Sequence, residues 1–389
     1  MPIILFDTSS RAKLFPLSLT RAIADLRSGI LSIKEWWECS LKQKAFVYTD
    51  QYLQDIYEPI LPGEYLLIDA CIIPRQEILN RILKLQLNES LSDSDGLVAG
   101  KIKVDQLPSF RFHLNSLFPK TTSIEKADRF ESAFSLFQRN DKTLRQHYSL
   151  ITEGRISQPI PENVQVINPE NIFIEEGAHL NFCTLNASNG PVYIGRNAII
   201  MEGSTIRGPF AMCEGAVVKM GSKIYGSSTL GPYCVGGGEI KNSILMGYSN
   251  KAHDGYLGDS VIGEWCNIGA GTSNSNIKNT ASEVKVLDYY TNSYITSGTK
   301  CGLVMGDYSR TAINTSINTG TTIGVCCNVF GEGLTPKIIP DFTWGTKGLI
   351  RYDFDKAIKD IGNWKSMKNK NLDESKLKVL RHIFEHNND

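Results

Sequence analysis

Aliphatic residues recur at every sixth position through the middle of the chain. The residues between them are mostly Gly, Ser, Thr and other polar types, and the uninterrupted run is Ile194, Ile200, Ile206, Met212, Val218, Ile224 and Leu230. An α-helix cannot hold this spacing on one face, because six residues rotate by about 600°, which is not a whole number of turns. A flat strand of this length with turn residues inside it is equally unsuitable. The spacing therefore predicts a solenoid in which each six-residue segment forms one side of a triangular coil and points its aliphatic residue inward.

The same spacing extends on both sides of this run. Ile174 and Leu180 precede it, and the pattern returns later in two groups, Leu257, Ile262 and Ile268, then Met305, Thr311, Ile317, Ile323 and Val329. Three such sides make a coil of about 18 residues, so the segment from Asn171 to Val329 predicts roughly eight coils with insertions. Residues 164–345 are assigned to this solenoid, and chance periodicity in a Gly-rich β-sandwich is the alternative.

Residues 1–123 show a different pattern, in which short apolar runs accompany a helical one. Strands are predicted at Ile3–Phe6, Lys44–Thr49, Glu64–Pro74 and Asp95–Gly100. A helix is predicted over Leu19–Glu38, where apolar residues recur at steps of three and four. The alternation indicates an α/β domain over residues 1–123. A linker helix and connection are predicted over residues 124–163, and a helical tail over residues 346–389, with an amphipathic helix at Lys376–Asn388.

Composition narrows the functional class. Basic and acidic residues balance at 41 each, which gives no electrostatic reason to expect nucleic acid or an anionic membrane as a partner. No apolar run approaches the length of about 18 residues that spans a bilayer, and the N-terminus lacks the basic flank of a signal peptide. Nine cysteines without a Cys-x-x-Cys pair indicate free thiols in a reducing cytoplasm and provide no zinc-ligand spacing.

The segment "GGEIKNSILMGYSNKAHDGYLGDSVIGEWCNIGAGTSNSN" (Gly237–Asn276) is more specific. It resembles the acetyltransferase site of the bifunctional N-acetylglucosamine-1-phosphate uridylyltransferase/glucosamine-1-phosphate acetyltransferase family, and the domain order is similar as well. The resemblance implies a sugar nucleotidyltransferase-like α/β domain followed by the left-handed parallel β-helix of hexapeptide acyltransferases. It also implies a homotrimer with acyl-transfer sites between subunits, acetyl-CoA as the acyl donor, and sugar phosphates and nucleotides as ligands.

The resemblance places the family's general base at His253. Acetyl transfer from a thioester to a sugar amine needs a base to take the amine proton, and histidine titrates near neutrality. The thioester is already activated, so most of the rate would come from positioning the two substrates. The resemblance further implies binding of the sugar phosphate at Lys241, Tyr256 and Lys223, of the sugar at Asn267 and Asn276, and of acetyl-CoA at the backbone of Ala270.

Each of these residues has a structural alternative. The alternatives are a surface loop for His253, packing against a neighbouring subunit for Tyr256, and a solvated coil edge for Lys241. Asparagine also tolerates left-handed backbone angles, so Asn267 and Asn276 could be corner residues. The sequence departs from the family at Ile277, where the family has tyrosine, and over Lys285–Gly306, the segment expected to help hold coenzyme A.

The N-terminal segment "IILFDTSSRAKLFPLSLTRAIADL" (Ile3–Leu26) is further from the family pattern. Nucleotidyltransferases of this family have a Gly-rich loop whose backbone approaches the phosphates, and this loop has no glycine. Arg11, Lys13 and Arg21 are the candidate nucleotide-binding residues. Asp69 is the candidate Mg²⁺ ligand if the domain is active, and Cys71 aligns about as well with the family's metal-binding position. Two interpretations stay open: a divergent transferase with an alternative phosphate clamp, or a degenerate domain kept for folding, assembly or substrate capture.

These signals predict a cytoplasmic, trimeric sugar-phosphate transferase of UDP-N-acetylglucosamine biosynthesis. Its β-helix domain is expected to acetylate an amino-sugar 1-phosphate, and its N-terminal domain is expected to be a divergent nucleotidyltransferase. One alternative is nucleotidyl transfer alone, with the β-helix as a trimer scaffold. The other is a catalytically inactive oligomer that binds sugar nucleotides.

Overall fold

A six-stranded mixed sheet forms the N-terminal part of the computed structural model, which describes residues 1–105 and 114–386. Its strands are β1 Ile3–Phe6, β2 Ala45–Tyr48, β3 Gly63–Asp69, β4 Glu89–Asp93, β5 Gly96–Val104 and β6 Lys120–Ser123. The spatial order is β2-β1-β3-β5-β4-β6; β1 pairs in parallel with β2 and β3, whereas β5 runs antiparallel to β3 and β4. The α/β class predicted for the N-terminal domain is confirmed. Residues 106–113 of its predicted range and residues 387–389 of the predicted tail lie outside the described residues.

The helix predicted over Leu19–Glu38 is wrong for most of its length. The structure has a 3₁₀ turn at Ile23–Asp25 and an α-helix, α1, only at Ile33–Leu41, which begins at a capping box. Gly29 has a φ of 76°, and a Cβ at this position would lie 2.7 Å from Nδ1 of His147. A left-handed residue in close contact with another helix ends the regular spiral that the apolar spacing predicts.

The long helix α4, Ser135–Thr152, connects the sheet to the repeats. The other helices of this part are α2 Gln51–Gln54 and α3 Gln76–Ile82, with 3₁₀ turns at Ser9–Leu14 and Leu114–Leu117. The side chain of Asn140 on α4 accepts a hydrogen bond from the Gly29 amide and donates one to the carbonyl oxygen of Ser227, each at 2.6 Å. The linker helix is therefore packed between the sheet domain and the repeats.

Residues 165–344 form a three-sided β-solenoid of about 10 turns, which confirms the architecture predicted from the six-residue spacing. Its three walls are called the exposed face, the domain face, which the sheet domain covers, and the helix face, which the C-terminal helices cover. The strands of the exposed face are Gln165–Ile167, Thr184–Asn186, Thr205–Arg207, Lys223–Tyr225, Glu239–Lys241 and Tyr256–Gly258, followed by Ser273–Asn274 and Ser316–Ile317. The strands of the domain face are Ile172–Ile174, Val192–Ile194, Phe210–Met212, Ser228–Leu230, Ile244–Gly247, Val261–Glu264, Leu303–Met305, Thr321–Ile323 and Ile338–Ile339. The strands of the helix face are His179–Leu180, Ile199–Ile200, Val217–Val218, Val235–Gly236, Asn250–Lys251, Arg310–Thr311, Asn328–Val329 and Thr343–Trp344, the last of which pairs with Ile350–Arg351.

The inward-facing residues of the coils form one apolar column. Every residue at the predicted spacing from Ile174 to Val329 is buried, and the most accessible of them, Thr311, is only 5% exposed. Corners between walls are made by left-handed residues such as Asn242 and Asp259, with φ of 46° and 49°. The solenoid has more turns than the eight expected, because it begins at Gln165 and continues through Trp344.

The domain face packs against the sheet domain through a shared apolar core and a buried ion cluster. Val261 and Val304 of this face belong to the same cluster of buried side chains as the core of the sheet domain. Arg21 pairs with Glu264 at 2.6 Å and with Asp307, and both the arginine and Asp307 are almost fully buried. The sheet domain and the solenoid are therefore joined along one wall of the coil.

Two C-terminal helices, α5 Phe354–Ser366 and α6 Glu374–His386, cover the later coils of the helix face. Lys365 on α5 lies 4.2 Å above the ring of Trp265. His382 on α6 stacks on Tyr52 of the sheet domain, with ring centroids 4.3 Å apart. The predicted helical tail is confirmed, and it contacts both the coil and the sheet domain. Among the described residues, no helix is both long enough and apolar enough to cross a bilayer.

Candidate active site

Three of the predicted site residues lie together on the exposed face. On neighbouring parallel strands of this face, Lys223 pairs with Glu239 and Glu239 pairs with Tyr256. Lys241 lies beside Tyr225, and its Nζ is 5.9 Å from the centre of that ring. These side chains point outward, because the middle residue of each strand faces the core. The two lysines and Tyr256 thus share one surface over three successive coils.

Glu239 is a carboxylate among these cations. It accepts a hydrogen bond from the Tyr225 hydroxyl at 2.6 Å. This hydrogen bond, with a contribution from burial, raises the pKa of Tyr225 to about 12. The Tyr225 hydroxyl therefore stays a donor at neutral pH. It holds the carboxylate of Glu239, which lies on the Lys241 strand, toward the neighbouring strand that carries Lys223.

A hydrogen-bonded cluster holds Tyr256 at the corner where the exposed face meets the domain face. Asn276 Nδ2 donates to the Tyr256 hydroxyl at 3.1 Å and also to Asp259. Asn242 Nδ2 donates to the other oxygen of the same carboxylate at 2.7 Å. A Cβ on Gly258 would lie 2.2 Å from the Tyr256 hydroxyl, so the ring crosses the backbone where only glycine leaves room. Burial, followed by the charge of Asp259, raises the pKa of Tyr256, which is therefore a neutral hydroxyl.

His253 lies at the corner between the helix face and the exposed face, on the bend that joins Asn250–Lys251 to Tyr256–Gly258. Its side chain is exposed. Its carbonyl oxygen accepts a hydrogen bond from Lys251 Nζ at 2.5 Å, and the same amine donates to the carbonyl oxygen of Gly237 at 3.0 Å. Lys251 is 1% exposed, and burial lowers its pKa to about 8. The imidazole therefore stands at the solvent edge of the exposed face, on a bend that is anchored from inside the coil.

Ala270 and Asn267 lie one coil beyond His253 but on different parts of the wall. A parallel bridge between Asn250 and Asn267 sets the register of the two coils. Three residues further along each chain segment, this register places Ala270 at the corner beside His253. Asn267 itself belongs to the helix face, so the structure does not bring it onto the surface that carries Lys241.

The segment expected to help hold coenzyme A is not part of the His253 corner. It leaves the coil as an antiparallel hairpin of Lys285–Asp288 and Ser293–Thr296. Tyr289 in the turn makes an edge contact with Phe15 of the sheet domain, with ring centroids 6.3 Å apart. The structure therefore places this segment away from the His253 corner, because Val286 is buried in the apolar core shared with the sheet domain and Ile295 packs against that core.

The three basic residues predicted to clamp a nucleotide are not brought together. Arg11 is 4% exposed, and its Nε lies 3.4 Å from a carboxylate oxygen of Asp7. Arg21 is committed to the ion cluster between the sheet domain and the coil. Lys13 lies with its Nζ 5.2 Å from the ring centre of Tyr290 in the hairpin. The proposed clamp is therefore not assembled, because internal carboxylates neutralise both guanidinium groups.

Asp69 ends β3, at the carboxyl edge of the parallel strands. It is 1% exposed, accepts a hydrogen bond from the Cys71 amide at 2.9 Å and lies 3.4 Å from Arg129. Burial raises its pKa to about 6. Mg²⁺ is usually held by one or two carboxylates together with substrate phosphates, and both oxygens of the Asp69 carboxylate are already committed, one to the Cys71 amide and the other to Arg129. The residues present therefore do not fit Mg²⁺ at Asp69.

Sequence reasoning missed two residues that hold the site together. Asp259 follows Tyr256 by three positions and accepts a hydrogen bond from Asn276. The motif "YLGD" contains this aspartate, but its role is clear only from the structure. Lys251 stands six residues after Leu245 and six before Leu257, which is an inward position in the repeat. A charged residue at an inward position was the available signal for a buried polar contact.

The fold and the site together define a chain in which an α/β sheet domain packs on a β-solenoid. The exposed face of the solenoid carries Lys223 and Lys241, and His253 lies at the edge of that face. Residues 3–156 match the family model described as sugar nucleotidyl transferase. The match covers the sheet domain and the linker helix.

Curated relatives are similar to parts of this chain. The bifunctional protein GlmU of Methanocaldococcus jannaschii is 33% identical over 137 residues, which is 35% of this chain and 31% of that protein. The bifunctional sugar-1-phosphate nucleotidylyltransferase/acetyltransferase of Sulfurisphaera tokodaii is 35% identical over 190 residues, 43% of this chain and 47% of that protein. GlmU of Synechococcus elongatus is 28% identical over 228 residues, 55% of this chain and 45% of that protein. The resemblance inferred from the sequence is confirmed, and the chain spans less than half the length of each of these relatives.

Proposed function

We propose that the solenoid transfers an acetyl group from acetyl-CoA to the amine of an amino-sugar 1-phosphate, with His253 as the general base. The observation that carries this proposal is the convergence of Lys223, Lys241 and Tyr256 on one open surface with His253 at its edge. The names of the curated relatives support the same reaction class.

In this mechanism the amine nitrogen attacks the thioester carbonyl carbon and forms the new carbon–nitrogen bond. His253 takes the proton from the nitrogen as the tetrahedral intermediate collapses. The carbon–sulfur bond then breaks, and the thiolate of coenzyme A leaves and takes up a proton. Because no covalent intermediate forms on the protein, positioning of the two substrates supplies most of the rate.

The exposed face would hold the acceptor. The ammonium groups of Lys223 and Lys241 are suited to the phosphoryl group as point charges. The neutral Tyr256 hydroxyl, fixed by Asn276, can hydrogen-bond to the phosphoryl or sugar oxygens. Ala270, beside His253 in the next coil, would contact the acetyl-CoA end, and this assignment for the donor rests on the family resemblance.

The site is open to solvent on one protomer, whereas small-molecule sites bury most of their ligand. A homotrimer in which a second copy covers the His253 corner would complete it. The reducing cytoplasm is the proposed location, in keeping with eight buried free cysteines and one exposed one among the described residues. The donor, the acceptor and the subunit count are parts of the same proposal.

The sheet domain is proposed to be a divergent nucleotidyltransferase domain, on the strength of its match to the sugar nucleotidyl transferase model. The buried states of Arg11 and Arg21 and the poor fit of Asp69 to Mg²⁺ favour a domain with reduced or lost nucleotidyl transfer. Pyrophosphate release from UTP and N-acetylglucosamine 1-phosphate, measured with and without Mg²⁺, decides between these states.

The acetyl-transfer proposal is tested by incubating the full chain with acetyl-CoA and glucosamine 1-phosphate and following free thiol. His253→Ala should reduce turnover by about 10²–10⁴-fold. His179→Ala is the matched control, because His179 is also exposed on the coil but lies on the helix face at an early turn. Equal turnover in the two variants would remove the base assignment.

A further inference from the structure

A groove continues along the exposed face below the proposed acceptor site. It has a volume of about 430 Å³ and is lined by Thr184, Asn186, Thr205, Arg207, Lys223 and Tyr225. Small-molecule sites typically have volumes of about 300–1,000 Å³. The groove is therefore large enough for a ligand portion in addition to the sugar 1-phosphate.

The strands of the exposed face follow one another in parallel register from the catalytic corner into this groove. Below Tyr256 come the strands Glu239–Lys241, Lys223–Tyr225, Thr205–Arg207 and Thr184–Asn186. Four strand spacings of about 4.8 Å give a surface roughly 19 Å long. One sugar ring and one phosphoryl group extend from the corner to the two lysines and leave the lower part of this surface uncovered.

Positive charge on this surface ends at Arg207. Arg207 and Lys223 are both exposed, and neither forms an ion pair within the part of the chain that the structure describes. The two strands below them, Thr184–Asn186 and Gln165–Ile167, carry only neutral side chains. The order from the corner is thus Lys241 with the carboxylate of Glu239, which accepts a hydrogen bond from Tyr225, then Lys223, then Arg207, then hydroxyl and amide groups.

We infer that the acceptor is an amino sugar linked to a nucleoside diphosphate, with its second phosphoryl group at Arg207 and its nucleoside in the groove. This inference rests on the proposed acetyl transfer at His253. It keeps the base, the donor and the amine that is acetylated, and it replaces the sugar 1-phosphate by the nucleoside diphosphate ester of the amino sugar, whose diphosphate linkage is not cleaved. A guanidinium group binds phosphoryl oxygens through two parallel hydrogen bonds. The hydroxyl groups of Thr184 and Thr205 can hydrogen-bond to ribose hydroxyls and to the edge of a base. The amide nitrogen of Asn186 can donate in the same way, while its amide oxygen accepts hydrogen bonds from Ser188.

The first test compares two acceptors with the full chain and acetyl-CoA. UDP-glucosamine should be acetylated with a kcat/KM at least about tenfold above that of glucosamine 1-phosphate, since one added charge-assisted contact has about this effect. Acetylation of glucosamine 1-phosphate with an equal or higher kcat/KM would overturn the inference and leave the proposed function standing. Acetylation of neither acceptor would overturn the proposed function itself.

The second test uses Arg207→Gln. This variant should lower kcat/KM for UDP-glucosamine by about tenfold and change the value for glucosamine 1-phosphate by less than about twofold. Arg196→Gln, at an exposed corner away from this face, is the matched control and should change neither value. Equal loss with both acceptors in Arg207→Gln, or no loss with either, would overturn the inference.

A third measurement separates this groove from any nucleotide site on the sheet domain. UDP should inhibit acetylation of glucosamine 1-phosphate competitively with the sugar phosphate, and Arg207→Gln should weaken this inhibition by about tenfold. A nucleotide bound only to the sheet domain would not compete with the acceptor, so non-competitive inhibition or its absence contradicts the assignment.

Discussion

The amine of Lys251 donates a hydrogen bond from inside the coil to the carbonyl oxygen of His253, over 2.5 Å. The equivalent inward position holds Ile200, Val218 and Gly236 in the three preceding coils. Burying an amine among aliphatic side chains has a large desolvation cost unless it is hydrogen-bonded. Its two carbonyl partners, of which Gly237 supplies the second at 3.0 Å, partly offset that cost. We interpret Lys251 as a positioning residue that holds the bend carrying the proposed base.

Lys251→Met should therefore lower the rate of acetyl transfer while the coil stays folded. We expect kcat to fall by about tenfold, because the bend loses a hydrogen bond to a charged donor. If Lys251 acts through the imidazole, the same substitution has little further effect in a His253→Ala background. An equal fractional loss in both backgrounds would show that the effect is not exerted through His253.

The same residue predicts a specific dependence of stability on pH. Burial lowers the pKa of Lys251 from its ordinary value of 10.5 to about 8. Between these two pH values the unfolded chain keeps a proton that the folded chain has released, so the free energy of unfolding rises with pH across this window. Chemical denaturation of the wild type and of Lys251→Met at pH 7.5 and pH 10 would measure it. The wild type should gain stability relative to the variant, and a constant difference would contradict the prediction.

Gly258→Ala should weaken acceptor binding by displacing one side chain. The added Cβ would lie 2.2 Å from the Tyr256 hydroxyl, at the mobile end of that side chain, so the ring must move away from Asn276. KM for the sugar-phosphate acceptor should rise by about tenfold, as for the loss of one well-placed hydrogen bond. Gly362→Ala is the control, because nothing lies within 4 Å of its added methyl group. An unchanged KM in Gly258→Ala would remove Tyr256 from the acceptor site.

The repeats were predictable because their information is local. Each inward residue lies within one six-residue segment, and the aliphatic residues at every sixth position from Ile194 to Leu230 are buried as the spacing predicts. The helix predicted over Leu19–Glu38 failed because its apolar pattern also suits a buried irregular segment. The contact of Gly29 with His147, more than 100 residues away, decides between the two.

The placement of the candidate residues was predictable where a motif carries them and not where distant residues meet. The spacing of Lys241, His253 and Tyr256 follows from the motif, and the register of the coils places these residues on one wall and its corner. Arg21 offered only a charge in the sequence, whereas its partner Asp307 is 286 positions away. Long-range neutralisation of this kind leaves no local pattern, so the nucleotide clamp could not be ruled out from composition or spacing.

Arg21→Met should destabilise the protein rather than impair nucleotide binding. The substitution leaves the carboxylate of Asp307, whose side chain is 2% exposed, without its cation, and it also breaks the pair with Glu264. Removing one partner of a buried ion pair typically costs about 3–5 kcal/mol, whereas an exposed pair contributes about 0–1 kcal/mol. Arg81→Met, which breaks the exposed pair with Glu77, is the matched control. Chemical denaturation at pH 7 should show a large loss of unfolding free energy in the first variant and a small one in the second. A fully stable Arg21→Met protein with a raised KM for UTP would instead return Arg21 to the phosphate clamp.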